Sequence, residues 1–171
     1  MGQEKFDDFK LKILKHVTDE WMKHKEYPPH LFFINENGGR KSLPLPIEGF
    51  HCSDSKEALV MMIVDMLSIV KAKMYCVTTE GWMISSKEGE EDLKDENGEF
   101  IRPSQHPDKQ EVLTFMFEST DSSDLMTLLN NNGKLSPHNP GPSINEEGEA
   151  SIKGIFQGLL KKSKENDKNS K

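Results

Sequence analysis

Cysteine occurs only twice, at Cys52 and Cys76, with no C-x-x-C spacing, so neither a disulfide framework nor a thiolate zinc site is expected. Both are expected as reduced, buried thiols. The six histidines, His16, His24, His30, His51, His106 and His138, form no H-x-x-x-H step. The neighbours His51 and Cys52 point to opposite sides of an extended chain and make poor joint ligands, so no metal or other cofactor is expected. Basic charge is also short, 22 Lys and Arg standing against 29 Asp and Glu for a net charge of −7. Phosphate binding rests on cations, and nucleic acid is therefore not an expected partner. The longest strongly apolar run, Ala58 to Val70, spans about 13 residues and contains Asp65, against roughly 20 for a bilayer crossing. The opening MGQEKFDDFK lacks the basic start and apolar stretch of a secretory leader, and Phe6 stands where a myristoylation pattern needs Ser or Thr; a cytoplasmic location is the expectation. G-x-S-x-G is missing too, and Asn37-Gly38-Gly39-Arg40 reads as a hairpin tip, not a phosphate-cradling strand-to-helix turn.

What is present is strong periodicity. Phe6, Phe9, Ile13, Val17 and Trp21 recur at three- and four-residue steps, which predicts an amphipathic helix over 6–22, stopped by Tyr27-Pro28-Pro29. His30 to Ile34 and Arg40 to Leu45 flank Asn35-Glu36-Asn37-Gly38-Gly39 and read as a hairpin. Pro44 and Pro46 remove ladder donors, which assigns the return strand to a sheet edge. A second helix is predicted over 54–70, capped by Ser53 or Asp54, and so apolar all round that cover on several sides is expected. Met74 to Ser85, Glu111 to Ser119 and Leu125 to Leu129 are β-branched and aromatic, and pair most simply as a meander. Lys87 to Gln110 carries a run of acids and reads as a long exposed loop.

Strands in runs, not alternating with helices, indicate an α+β fold: a mainly antiparallel sheet of about five strands, with helix 54–70 across one face and helix 6–22 beside it. Residues 1–135 form the domain in this reading. A Pro/Gly/Asn-rich linker follows over 136–150, then a tethered amphipathic helix over 151–163 and a disordered basic tail over 164–171. A helix that short is marginal alone in water, so its stripe, Ile152, Ile155, Phe156, Leu159 and Leu160, has to dock on its own domain, a second copy or a partner.

One polar constellation is a candidate for chemistry. If the strands around it pair, Arg102, His106 and Asp108 come near Glu80 and Trp82. A histidine between carboxylates acts as a general base, so Glu80, His106 and Asp108 are the weak catalytic candidates of a hydrolase-like site closed by Trp82. The simpler role of the same residues is to satisfy backbone groups at a strand entry, with Trp82 covering the sheet edge.

The step EGWM at Glu80–Met83, followed by RPSQHPDKQEVL from Arg102, resembles a pattern of small uncharacterised α+β proteins of bacteria and their phages. The resemblance covers residues 50 to 120, with Lys109 standing where an arginine is more usual. It implies a fold and an origin, but no activity. With no catalytic frame, the expectation is a non-enzymatic accessory or adaptor protein that acts through a protein partner or self-association, with the C-terminal stripe, Trp82 and Arg102 as contact residues. A small enzyme at Glu80 and an acidic mimic of nucleic acid are the alternatives.

Overall fold

A computed structural model describes residues 2–50, 52–83, 95–99, 105, 107–138, 143–144, 150–151 and 158–169. Helix α1 (Gly2–His24) leads into strands β1 (His30–Asn35) and β2 (Arg40–Pro44), a short 3-10 turn (Ile47–Phe50) and helix α2 (Ser53–Ile69). Strands β3 (Ala72–Met83), β4 (Gln110–Ser119), β5 (Ser123–Asn131) and β6 (Lys134–His138) follow. A two-residue pair, β7 (Ser143–Ile144) with β8 (Ala150–Ser151), precedes helix α3 (Leu159–Asn169). The architecture is α+β. Its main sheet is antiparallel and six-stranded, in the order β2-β1-β3-β4-β5-β6, with proline-bearing β2 at an edge as its missing donors require.

The strand added to the expected count is β6, where a linker was anticipated from residue 136. Asn132 and Gly133 both adopt positive φ, 53° and 85°. That is the two-residue hairpin turn whose twist suits antiparallel strands, and it sends the chain back along β5, pairing Asn131 with Lys134 through Thr127 with His138. Pro137 is tolerated because β6 is an edge.

The two long helices do not lie side by side. Alternate residues of β1 and β3 enter different cores: Leu31, Phe33, Tyr75 and Val77 join α2 residues Ile63 and Leu67, while Phe32 and Cys76 join Phe6, Phe9, Ile13, Val17 and Trp21 of α1. A strand apolar on both faces needs cover on both, so α1 and α2 pack on opposite sides of the sheet.

The C-terminal helix starts later than its apolar stripe suggested. Gly158 sits at φ 75°, a left-handed conformation that sets the start of α3 at Leu159, and Ala150–Ser151 is extended. Leu159 and Leu160 are buried in the α2-side core, and residues through Asn169 are helical where a disordered tail was expected from 164. Ser163 and Lys164 line one groove with Leu67, Ser68 and Lys71, while the Asn166 amide reaches Asp65 at 3.4 Å, so α3 retraces α2 from its C-terminal end.

Cover of α2 comes from two sides and stops short of the whole circumference that its composition suggested. The sheet and α3 take Leu59, Val60, Ile63, Val64 and Leu67, yet Met61 is 68 % exposed and Ile69 82 %. Three or four residues separate neighbours on a helix face, and two layers of cover leave a third face open. No helix among the described residues is long and apolar enough to cross a membrane.

Candidate functional site

β3 places Glu80 and Trp82 on the α1 side of the sheet, in line with Cys76 and buried Thr78. Glu80 is already engaged. The Tyr27 amide donates to its Oε1 at 2.7 Å, and the Trp21 indole N–H donates to the same carboxylate, so it ties the end of α1 to the sheet. Half-burial raises its pKa above the usual value, with the charges of Glu111 and Glu26 pushing the same way against the two donors.

The ladder between β3 and β4 closes at Met83 with Gln110. Glu80 stands three residues inside that end, about 10 Å along the strand, whereas Asp108 lies outside it in an exposed turn. Asp108 is not among the groups that act on the Glu80 carboxylate. Arg102 and His106 lie outside the described residues, as do Ile152, Ile155 and Phe156. Trp82 is 45 % exposed with the Lys109 ammonium 4.6 Å from its ring centre, a cation–π cover at the strand end. Of the loop expected over 87–110, residues 95–99, 105 and 107–110 are described, and in the first stretch Asp95 accepts the amides of Asn97 and Glu99 in a local turn.

Glu80 yields a pH prediction. A folded pKa above the unfolded one stabilises the fold below the unfolded value, near 4.5, and that contribution disappears as pH rises through the folded value. Gln keeps an acceptor for Tyr27 and Trp21 without the charge. In urea unfolding followed by circular dichroism, Glu80→Gln is expected to match the wild type in acid and to gain slightly on it at neutral pH, while Glu80→Ala loses about 1–3 kcal/mol by orphaning the two donors. A Gln variant that loses ground on raising the pH contradicts this account.

The cysteines differ from one another. Cys76 is buried and its thiol pKa is driven up by burial. Cys52, expected to be buried, is exposed at the N-cap of α2. The Ser55 hydroxyl accepts its amide at 3.1 Å and lies 3.3 Å from its sulfur, and this contact lowers the thiol pKa. Ser53 and Asp54, the caps anticipated from sequence, fall inside the first turn.

A buried carboxylate, Glu118 on β4, had no sequence signal beyond its place in an apolar strand. Tyr75 donates its hydroxyl to Oε2 at 2.8 Å, the Gly158 amide donates at 2.6 Å, and the Leu160 amide reaches Oε1 at 3.4 Å. Glu118 thus caps α3 from another element, an anion at the positive end of the helix. Tyr75 is held protonated, first by burial and then by the neighbouring Glu118 charge.

The groove of about 730 Å³ beside the β1–β2 turn holds Lys5, Arg40 and Lys73, but Arg40 pairs with Asp8 at 3.2 Å and Glu36 lines the same wall. Among the described residues no three His, Cys, Asp or Glu side chains gather, and no buried side-chain polar atom lacks a hydrogen-bond partner.

The outer face of α2 departs from an ordinary protein exterior. Ala58, Met61, Met62, Asp65 and Ile69 lie along one stripe and are all exposed. Asp54 and Glu57 are exposed at its N-terminal end, and Lys71 at its C-terminal end. Lys162 of α3, also exposed, is one turn before Asn166 and so on the side of α3 that meets Asp65. Sequence reading identified α2 as too apolar to stand bare, but did not identify which residues would remain uncovered. Comparison with protein-family models, with curated proteins and with solved structures found no match.

Proposed function

We propose that this chain is a non-enzymatic binding module that acts through protein–protein contact at the outer face of α2. The observation that carries the reading is the exposed stripe of Met61, Met62 and Ile69 on a helix whose other faces form the core. Single exposed apolar side chains are ordinary, but three on one helix face with charge beside them have the composition of an interaction surface. Methionine suits such a surface, since its unbranched, polarisable side chain adapts to a partner's contour. The candidate polar groups support the same reading: Glu80 and Glu118 spend their hydrogen-bonding capacity on Trp21, Tyr27, Tyr75 and the start of α3. Leu159 and Leu160, expected as contact residues, are buried in this chain's own core, which favours the α2 face over them as the contact surface.

A photo-crosslinking amino acid at position 61, in the full chain in its native cell, is expected to yield a crosslinked species of discrete mass. The same group at exposed position 15 on α1 is expected to yield none. A blank result at 61, or equal labelling from both positions, removes the reading.

A further inference from the structure

We infer that the occupant of the α2 face is a second copy of this chain, the two α2 helices pairing antiparallel about a twofold axis. The inference rests on the binding-module reading and names its partner. It comes from the order of features along the face: acids Asp54 and Glu57 at one end, Met61, Met62 and Ile69 between, and at the other the bases Lys162 and Lys71, the latter also paired with Glu36 of its own chain at 3.3 Å. Such a face is complementary to itself when reversed. Antiparallel pairing sets the acidic end of each helix beside the basic end of its partner, and it does so twice because the interface is isologous. It also opposes the two helix dipoles and buries both apolar middles together. Asp65, within the apolar stretch, already accepts the Asn166 amide, so its carboxylate keeps a donor when water leaves.

Other occupants fit less well. An anionic membrane surface attracts basic faces, whereas this one carries two acids at one end and a third in the middle. A different protein would have to reproduce the acid–apolar–base order in reverse; a second copy carries it already. The helix offers a contact strip about 25 Å long, the scale of a helix–helix interface.

Sedimentation of the full chain from micromolar concentrations to about 100 µM tests this directly. The wild type is expected to pass from monomer to dimer, and Ile69→Asp, at a site that is 82 % exposed, is expected to weaken the dimer at least tenfold while leaving the circular dichroism spectrum unchanged. Charge reversal then tests the direction of pairing. A chain carrying Asp54→Lys with Glu57→Lys, and another carrying Lys71→Glu with Lys162→Glu, are each expected to be monomeric alone and to form a mixed dimer when combined. A wild type that stays monomeric overturns the inference, as does a dimer indifferent to Ile69→Asp or reversed chains that fail to complement. Flotation with phosphatidylcholine–phosphatidylserine vesicles that is lost in Ile69→Asp also overturns it, in favour of a membrane. If the wild type is monomeric and position 61 still crosslinks to a species of different mass, the binding-module reading survives and only the identity of the partner fails.

Discussion

Replacing Glu118 with alanine is expected to cost about 3 kcal/mol and to loosen α3 before the rest of the molecule. The substitution leaves the Tyr75 hydroxyl and the amides of Gly158 and Leu160 without their acceptor in a buried setting, and an orphaned buried donor costs about 1–3 kcal/mol. Beyond the buried Leu159 and Leu160, α3 is held by exposed polar contacts from Lys164 to Thr120 and from Asn166 to Asp65. At 11 residues it lies below the length at which isolated helices persist in water, so its helicity depends on Leu159 and Leu160 staying docked and on the anion at its N-terminus. Amide hydrogen exchange over 159–169 is expected to accelerate to a greater extent than over β3 and β4, since sub-global opening follows the weakest contacts. Glu118→Gln keeps one acceptor oxygen and is expected to cost about half as much. A double-mutant cycle with Tyr75→Phe is expected to show coupling of about 1 kcal/mol or more. A loss below about 0.5 kcal/mol for Glu118→Ala, with unchanged exchange in α3, refutes the cap.

The other large effect belongs to Trp21. Its side chain is among the largest fully buried ones, it fills the α1-side core, and it donates to Glu80. Trp21→Ala leaves a cavity and removes one of the donors that oppose the Glu80 desolvation; large-to-small changes of this kind cost about 3–5 kcal/mol. That is a large fraction of the roughly 5–15 kcal/mol that holds a domain folded. Trp21→Phe retains most of the apolar contact and is expected to recover more than half of the loss. Equilibrium urea unfolding followed by far-ultraviolet circular dichroism reads both values. An alanine variant within about 1 kcal/mol of the wild type removes Trp21 from its place as the anchor of α1.

The two variants act on opposite faces of the sheet, and sequence patterning did not separate those faces. Periodicity shows that 6–22 and 54–70 each need an apolar surface to lie on, but the helical repeat is silent about which one. The strand residues hold that information only in combination: Leu31 and Phe33 face α2 while Phe32 faces α1, and a run such as LFFI reads as buried on both sides without assigning either helix to a side. The edge position of β2 was legible because proline removes a donor whatever the fold. β6 was not, since Lys134–His138 is short, carries a proline, and borders a segment of linker composition; its pairing rests on two positive-φ residues, Asn132 and Gly133, that could equally end a domain.

The candidate site divides in the same way. Glu80 and Trp82 were visible as a polar and an aromatic residue at a strand end, yet whether a carboxylate is free for chemistry depends on what fills its lone pairs, and Tyr27 and Trp21 come from 53 and 59 positions earlier in the chain. Glu118 and Tyr75 are separated by 43 residues, and Glu118 meets Gly158 across another 40. Local sequence determined what each segment must be: α1 and α2 as helices, β1 and β2 as a hairpin, β3 to β5 as a meander, because side-chain spacing and turn chemistry act within a few residues. The closing of the chain on itself decided the rest, including which carboxylates are spent, how α3 is held and which stripe of α2 meets water. Those outcomes depend on the one arrangement in which distant apolar surfaces are buried with every displaced polar group repaired.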